Sequence, residues 1–226
     1  ARRTLEALIS DGRIQPTRIE EIVQKFEKEM DLEIKEAGDK AVYDTGIGRV
    51  HPELVKLLGR LKFRTSYGQN ALAHSIEVAM IAGNLAVEIG ENEIVARRAG
   101  LFHDIGKMDE ISEFPENDYT DDRQLLGHIF LGANKVNYQI KQMDKFPPKL
   151  AKELLHCILA HHGELEYGSP KKPATVEALA LHFADNTDAK IQTMTELLNA
   201  GDPKIEWMGY QRMFESNIMR STKGTE

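Results

Sequence analysis

The chain has 226 residues, 41% hydrophobic and 29% charged, the balance of a soluble globular protein with apolar material for a sizeable core in one or two domains. Its formal net charge of −7 and isoelectric point near 5.7 exclude a large surface that holds nucleic acid by charge alone. They leave room for a phosphate substrate whose charge is met by bound divalent cations.

Residues 1–9 read as the end of a helix entered midway, since position 1 is Ala and not Met. "SDGRIQP" (10–16) is expected to turn, and Thr17 with Glu20 makes a capping box that opens a helix over 18–37, with Ile19, Ile22, Val23, Phe26, Met30 and Ile34 at helical spacing. Gly38, Gly46 and Gly48 predict a loop containing a short extended piece, "KAVYDTGI". His51-Pro52 opens the next helix. Ser66 with Gln69 forms a second capping box before a mostly buried helix that stops near Gly90. "NEIVARRAGLFHD" follows as a helix, 108–123 as an acidic loop and "RQLLGHIFLGANKVNYQIKQM" as one helix. Pro147 and Pro148 precede "KLAKELLHCILAHHG", closed by Gly163; Thr175 caps a long helix, "VEALALHFADNTDAKIQTMTELLNA".

Strand signals are nearly absent, so the expected fold class is all-α. The expected organisation is a helical N-terminal extension (1–60), a helical bundle (61–200) and a C-terminal helical tail (201–226). Trp207 and Tyr210 in that tail are expected to pack on the domain or on a second subunit rather than to stack bases. The single cysteine, Cys157, rules out an intrachain disulfide and fits a reducing, cytoplasmic setting. No apolar run approaches 18 residues and no signal peptide is visible, so this stretch is expected to make no membrane contact.

The chemistry lies in histidines and carboxylates set into apolar helices: His74, His103-Asp104, His128, His161-His162 and Asp185. A lone histidine on an apolar face is usually a core residue with a hydrogen-bond partner. This many, one or two on each of several helices, calls for a metal cluster, because an apolar interior tolerates polar groups only when they are paired or coordinated. Mixed nitrogen and oxygen ligation suits Mn²⁺ or Fe²⁺, with Zn²⁺ and Ni²⁺ as alternatives. His51 and His156 are read as structural, and His182 as packing rather than support for a ligand.

The pattern H…HD…H…HH…D over residues 66–200 resembles the HD-domain metal-dependent phosphohydrolases. That resemblance implies an HD-domain helical bundle with two divalent ions. His74, His103 and Asp185 would hold one ion, His128, His161 and His162 the other, and Asp104 would bridge them. It implies a metal-bound hydroxide as nucleophile, with Asp104 and Lys107 as the catalytic residues and Lys107 donating to the scissile phosphate. Within the superfamily, "ALISDGRIQPTRIEEIV", "HPELVKLLGRLKFRTSYGQNALAHSIEVA" and "ARRAGLFHDIGK" resemble bacterial ribonuclease Y over residues 1–107. "LLGHIFLGANKV" and "GSPKKPATVEALALHFADNTDAK" are similar to the HD domain of YhaM-type 3′-to-5′ exoribonucleases over 108–226.

Both resemblances imply an RNA or short-oligonucleotide substrate, a homodimer and a cytoplasmic enzyme. The first adds a parent protein anchored at the inner face of the cell membrane. The leading expectation is Mn²⁺-dependent 3′-to-5′ exonucleolysis of short single-stranded RNA. The alternatives are an endoribonuclease of the ribonuclease Y type and an HD nucleotidase or cyclic-nucleotide phosphodiesterase. Substrate contacts are expected from Gly168, Ser169 and Lys171 in the loop after the histidine pair, from Asp188 one turn beyond Asp185, where it can either orient a ligand or contact a ribose, and from Arg64 in a basic cluster before the first ligand helix.

Overall fold

The computed structural model describes residues 2–12, 14–66, 68–110, 112 and 118–221, and these carry all the packing discussed below. They are predominantly helical: α1 (Arg2–Asp11), α2 (Pro16–Thr45), α3 (Pro52–Leu61), α4 (Ala71–Glu88), α5 (Glu93–Phe102), α6 (Asp121–Leu125), α7 (Gly127–Gln142), α8 (Pro148–Ala160) and α9 (Val176–Ala200). Two antiparallel hairpins complete the described fold: β1 (Thr65–Ser66) with β2 (Gln69–Asn70), and β3 (Trp207–Gln211) with β4 (Ser216–Met219). The all-α class and the helical extension are as the sequence predicts, and part of the acidic loop, residues 111 and 113–117, lies outside the described residues.

Several boundaries differ from expectation for local reasons. The helix α2 begins on Pro16 behind Gln15, which makes no side-chain cap, so Thr17 lies inside the helix and there is no capping box. Its fixed φ suits the first helical position, where a missing N–H costs nothing. The same helix runs through Gly38 to Thr45, so "KAVYDTGI" is helical up to Thr45. A Cβ on Gly38 would lie 2.1 Å from the Val55 carbonyl oxygen and one on Gly59 would lie 1.8 Å from that of Ile34. Both glycines therefore serve close helix crossing, not flexibility. Asn70, not Ser66, caps α4, its side chain accepting from the Leu72 and Ala73 N–H groups. The predicted helix 123–143 is broken at Leu126–Gly127, where Gly127 takes a φ of 72°. The predicted helical tail is instead the β3–β4 hairpin, bulged between Trp207 and Tyr210; aromatic and β-branched residues favour a pleated ribbon there.

The helix α4 occupies the centre. Val78, Ala79, Ala82 and Ala86 are all buried on it, and their small side chains allow α5 and α9, which also touch each other, to pack closely against it. After α5 the chain tightens into a 3-10 turn, Ile105–Asp109. This turn meets α7 so closely that a Cβ on Gly106 would lie 2.0 Å from the His128 carbonyl oxygen. That contact places the segment following His103-Asp104 directly against the start of the helix carrying His128.

Candidate metal centre

Six of the seven ligand candidates sit where a helix end or a cap fixes the backbone. His74 is in the first turns of α4 behind the Asn70 cap. His103 and Asp104 follow the last residue of α5, His128 opens α7, His161 and His162 follow α8, and Asp185 lies midway along α9 behind the Thr175 cap. A helix C-terminus leaves carbonyls without partners. His103 Nδ1 donates to the Gly100 carbonyl at 2.6 Å, and His161 Nδ1 donates to that of Ile158, also at 2.6 Å. These bonds satisfy orphan carbonyls and fix each ring with its Nε2 facing inward.

The other rings follow the same plan. His162 Nδ1 donates to the Tyr167 carbonyl at 2.6 Å, His74 Nδ1 bonds Asp188 Oδ2 at 2.6 Å, and His128 Nδ1 bonds Glu110 Oε1 at 3.1 Å. Their Nε2 atoms surround two carboxylates. His74 Nε2 is 3.1 Å from Asp185 Oδ1 and 3.6 Å from Asp104 Oδ2. His103 Nε2 is 3.3 Å from Asp104 Oδ2 and 3.6 Å from Asp185 Oδ1. His128 and His161 Nε2 lie 3.6 and 3.9 Å from Asp104 Oδ1. One ligand atom from each of His74, His103 and Asp185 falls within 4.8 Å of the others, as do those of His128, His161 and His162 and those of His103, Asp104 and His161. The structure thus brings together all seven predicted ligands, with Asp104 between two groups of three.

Whether these residues suit metal ions is decided by their unpaired atoms. Nε2 of His103, His128 and His161 is buried without a hydrogen-bond partner. Three converging imidazole nitrogens buried without hydrogen-bond partners are costly unless a cation meets them. The ionisation states of His161, His162 and the two aspartates agree. Burial pushes the His161 and His162 pKa values down, His161 strongly, which keeps both rings neutral. Burial opposes charge on Asp104 too, yet the neighbouring His103 and Lys107 charges hold its carboxyl well below the usual carboxylate range. Asp185 is held low against burial by the neighbouring His103 and His74 rings. Neutral imidazoles and ionised carboxylates are the forms that bind divalent cations.

Lys107 places its Nζ 2.6 Å from Asp104 Oδ2. Its ammonium is held charged against burial by Asp104, and it lines a cavity of about 460 Å³ that opens over His74, Asp104, His162 and Asp185. The residues expected to touch substrate are placed differently. Asp188 is buried, with Oδ2 accepting from Gln69 Nε2 at 2.8 Å as well as bonding His74, a placement for orienting the candidate ligand His74 rather than for touching a ribose. Gly168 ends a short 3-10 turn with a φ of 88°, Ser169 is buried with its hydroxyl unpartnered, and Lys171 is exposed. None of these three, nor Arg64, is among the residues lining the cavity.

Sequence reasoning missed Glu110 and Gln69, which brace His128 and the Asp188–His74 pair, and the Tyr167 carbonyl on His162. His156 accepts from the Ala174 N–H, and His182 Nδ1 donates to the His161 carbonyl, so His182 also steadies the backbone at the site.

The profile of the HD domain family matches residues 71–190, a span that contains every ligand candidate. The chain belongs to the HD domain family. The curated proteins it resembles include ribonuclease Y of Acholeplasma laidlawii (46% identity over 189 residues), of Desulforamulus reducens (48% over 190) and of Thermoanaerobacter pseudethanolicus (47% over 190). Each similarity covers 84% of this chain but only 31 or 32% of the relative, so the chain spans about a third of their length. A stretch of 189 residues outruns 1–107, so the likeness to ribonuclease Y continues past residue 107, into the part expected to be of the exoribonuclease type. No solved structure matches the chain significantly. No helix among the described residues is long and apolar enough to cross a membrane.

Proposed function

We propose that this chain is the hydrolytic module of an RNA-cleaving phosphodiesterase that cuts within single-stranded RNA, as the endonucleolytic alternative had it, rather than by trimming from the 3′ end. The observation that carries it is the His/Asp cluster forming the floor of an open cavity, with an ammonium group at its edge. The ribonuclease Y relatives, matched over most of this chain, support the internal cut.

Two divalent ions, Mn²⁺ by ligand type, would sit in the groups His74–His103–Asp185 and His128–His161–His162 with Asp104 between them. When bound, such ions lower the pKa of coordinated water and offset charge on the phosphate. Around them the protein's own groups act on orientation and charge. The five Nδ1 bonds fix the imidazoles so that no ring must turn when a cation arrives. The Asp104 carboxylate reaches both ligand groups. The Lys107 ammonium, facing the cavity beside Asp104, can donate to a phosphoryl oxygen and offset the charge that builds there.

The test is a time course on a single-stranded RNA of about 20 nucleotides, 5′-labelled, with Mn²⁺ and with chelator. A few discrete internal products that need Mn²⁺ are expected. A ladder shortening one nucleotide at a time from the 3′ end would reverse the endonucleolytic assignment. Intact RNA beside rapid hydrolysis of a mononucleotide would favour the nucleotidase reading.

A further inference from the structure

The cavity over the metal centre does not end at the ligands. It continues along one face of α9, where Ala189, Gln192, Thr193 and Glu196 follow Asp185 at helical spacing. At 1.5 Å per residue, this face extends about 16 Å from Asp185 to Glu196. The far side is closed by Met213, in the turn between β3 and β4. This hairpin lies beyond the segment that matches the HD family. It is pinned to the end of α9 by Arg220, which donates to the Leu198 carbonyl. Met208 fills the space a side chain at Gly201 would occupy, and Ile218 is buried. The turn carrying Met213 is therefore held at the cavity by structure, not by chance.

The chemistry of the two ends differs. Near the metal ligands the lining includes the cation Lys107; the distal wall has an amide, a hydroxyl, a thioether and the Glu196 carboxylate, without a lysine or arginine. A negatively charged backbone phosphate is disfavoured there. A flat, uncharged group with donors and acceptors on its edge suits it. A thioether packs well against π faces. Gln192, which donates to Glu196 Oε1 at 2.9 Å, and Glu196 offer an amide and a carboxylate to a base edge. The volume suits one small unit rather than a length of strand.

We infer that the distal arm of the cavity is a nucleobase subsite for the nucleotide flanking the scissile phosphate, with Met213 on the base face and Gln192 and Glu196 at its edge. The inference rests on the phosphodiesterase reading above, and it makes the C-terminal hairpin a determinant of which substrates enter.

The test is methyl NMR on the full chain with its methionine methyl groups ¹³C-labelled, the Met213 signal being assigned from Met213→Leu. The probes are a phosphorothioate-linked ribotetranucleotide and the same backbone with abasic residues. The base-bearing probe is expected to move the Met213 methyl signal upfield, as a ring stacked on it must. The abasic probe should leave the signal in place and bind more weakly. Met213→Ala should weaken the base-bearing probe by about three- to tenfold and leave the abasic one little changed. Binding of the base-bearing probe with the Met213 signal unmoved, or equal affinity for both probes, would overturn the subsite while sparing the phosphodiesterase reading. Failure of both probes to bind would overturn both.

Discussion

Removing the Asp188 carboxylate tests how the site is held in shape. Asp188 Oδ2 takes hydrogen bonds from His74 Nδ1 at 2.6 Å, which is buried, and from Gln69 Nε2 at 2.8 Å, which is partly so. Asp188→Ala frees the His74 ring to turn and to change tautomer. Loss of such a partner costs about 10- to 100-fold in metal affinity. In metal-free protein the same bond joins charged groups, since the His74 pKa is raised against burial by Asp185 and Asp188. Such a bond contributes about 1.5–3 kcal/mol. Part of this is returned, because the Glu77 carboxyl, pushed up by its hydrogen bond with Asp188 and by burial, ionises more freely once Asp188 is gone. A net loss of about 2 kcal/mol lowers the melting temperature by about 4–8 °C in a chain of this size. Competition with a chelator of known affinity reads the first effect and calorimetry the second. Asp188→Asn, which keeps an acceptor, should lose less on both. Wild-type Mn²⁺ affinity in Asp188→Ala would refute the claim that this carboxylate orients a ligand.

Two other expectations follow from the packing and the charges. Gly59→Ala puts a methyl group 1.8 Å from the Ile34 carbonyl oxygen; α2 and α3 must separate, and the melting temperature should fall by more than 5 °C, overpacking costing about 1–3 kcal/mol or more. An unchanged melting curve would show that the two helices do not cross as described. The metal-free protein should also be most stable near pH 6–7. Burial works against the charged His103 ring, yet Asp104 and Asp185 raise its pKa to about 10; with its folded pKa raised, its contribution is complete below about pH 6.5 and is lost as pH climbs toward 10. The buried Cys157 thiol, pushed up to about 12, acts in the same direction above about pH 8.5. The depressed His161 and His162 pKa values remove stability as pH falls below about 6.5. Thermal scans in chelator from pH 5 to 10 check this, and a melting temperature rising steadily from pH 6.5 to 10 would contradict it.

The ligands could be found in the sequence because each is a polar residue stranded in an apolar helix, a conflict that only coordination or pairing resolves. Their partners could not. Glu110 and Gln69 earn their roles through contacts between elements that no local spacing encodes, and three of the Nδ1 acceptors are backbone carbonyls; Asp188 was visible only as one turn beyond Asp185. Helix ends were misjudged where crossing geometry overrode propensity: Gly38 looked like a breaker and is a contact, and Ser66 looked like a cap while Asn70 does the capping. The terminal hairpin was hidden because its bulge and short strands blur the alternation that marks a β-ribbon.

The central claim is that Asp104 joins two metal groups, and equilibrium dialysis against Mn²⁺ tests it most directly. Wild-type protein should hold two ions per chain, and Asp104→Ala, with unchanged helical circular dichroism, should lose at least one of them and nearly all RNA cleavage. Two ions bound and RNA cut at the wild-type rate in Asp104→Ala would contradict it.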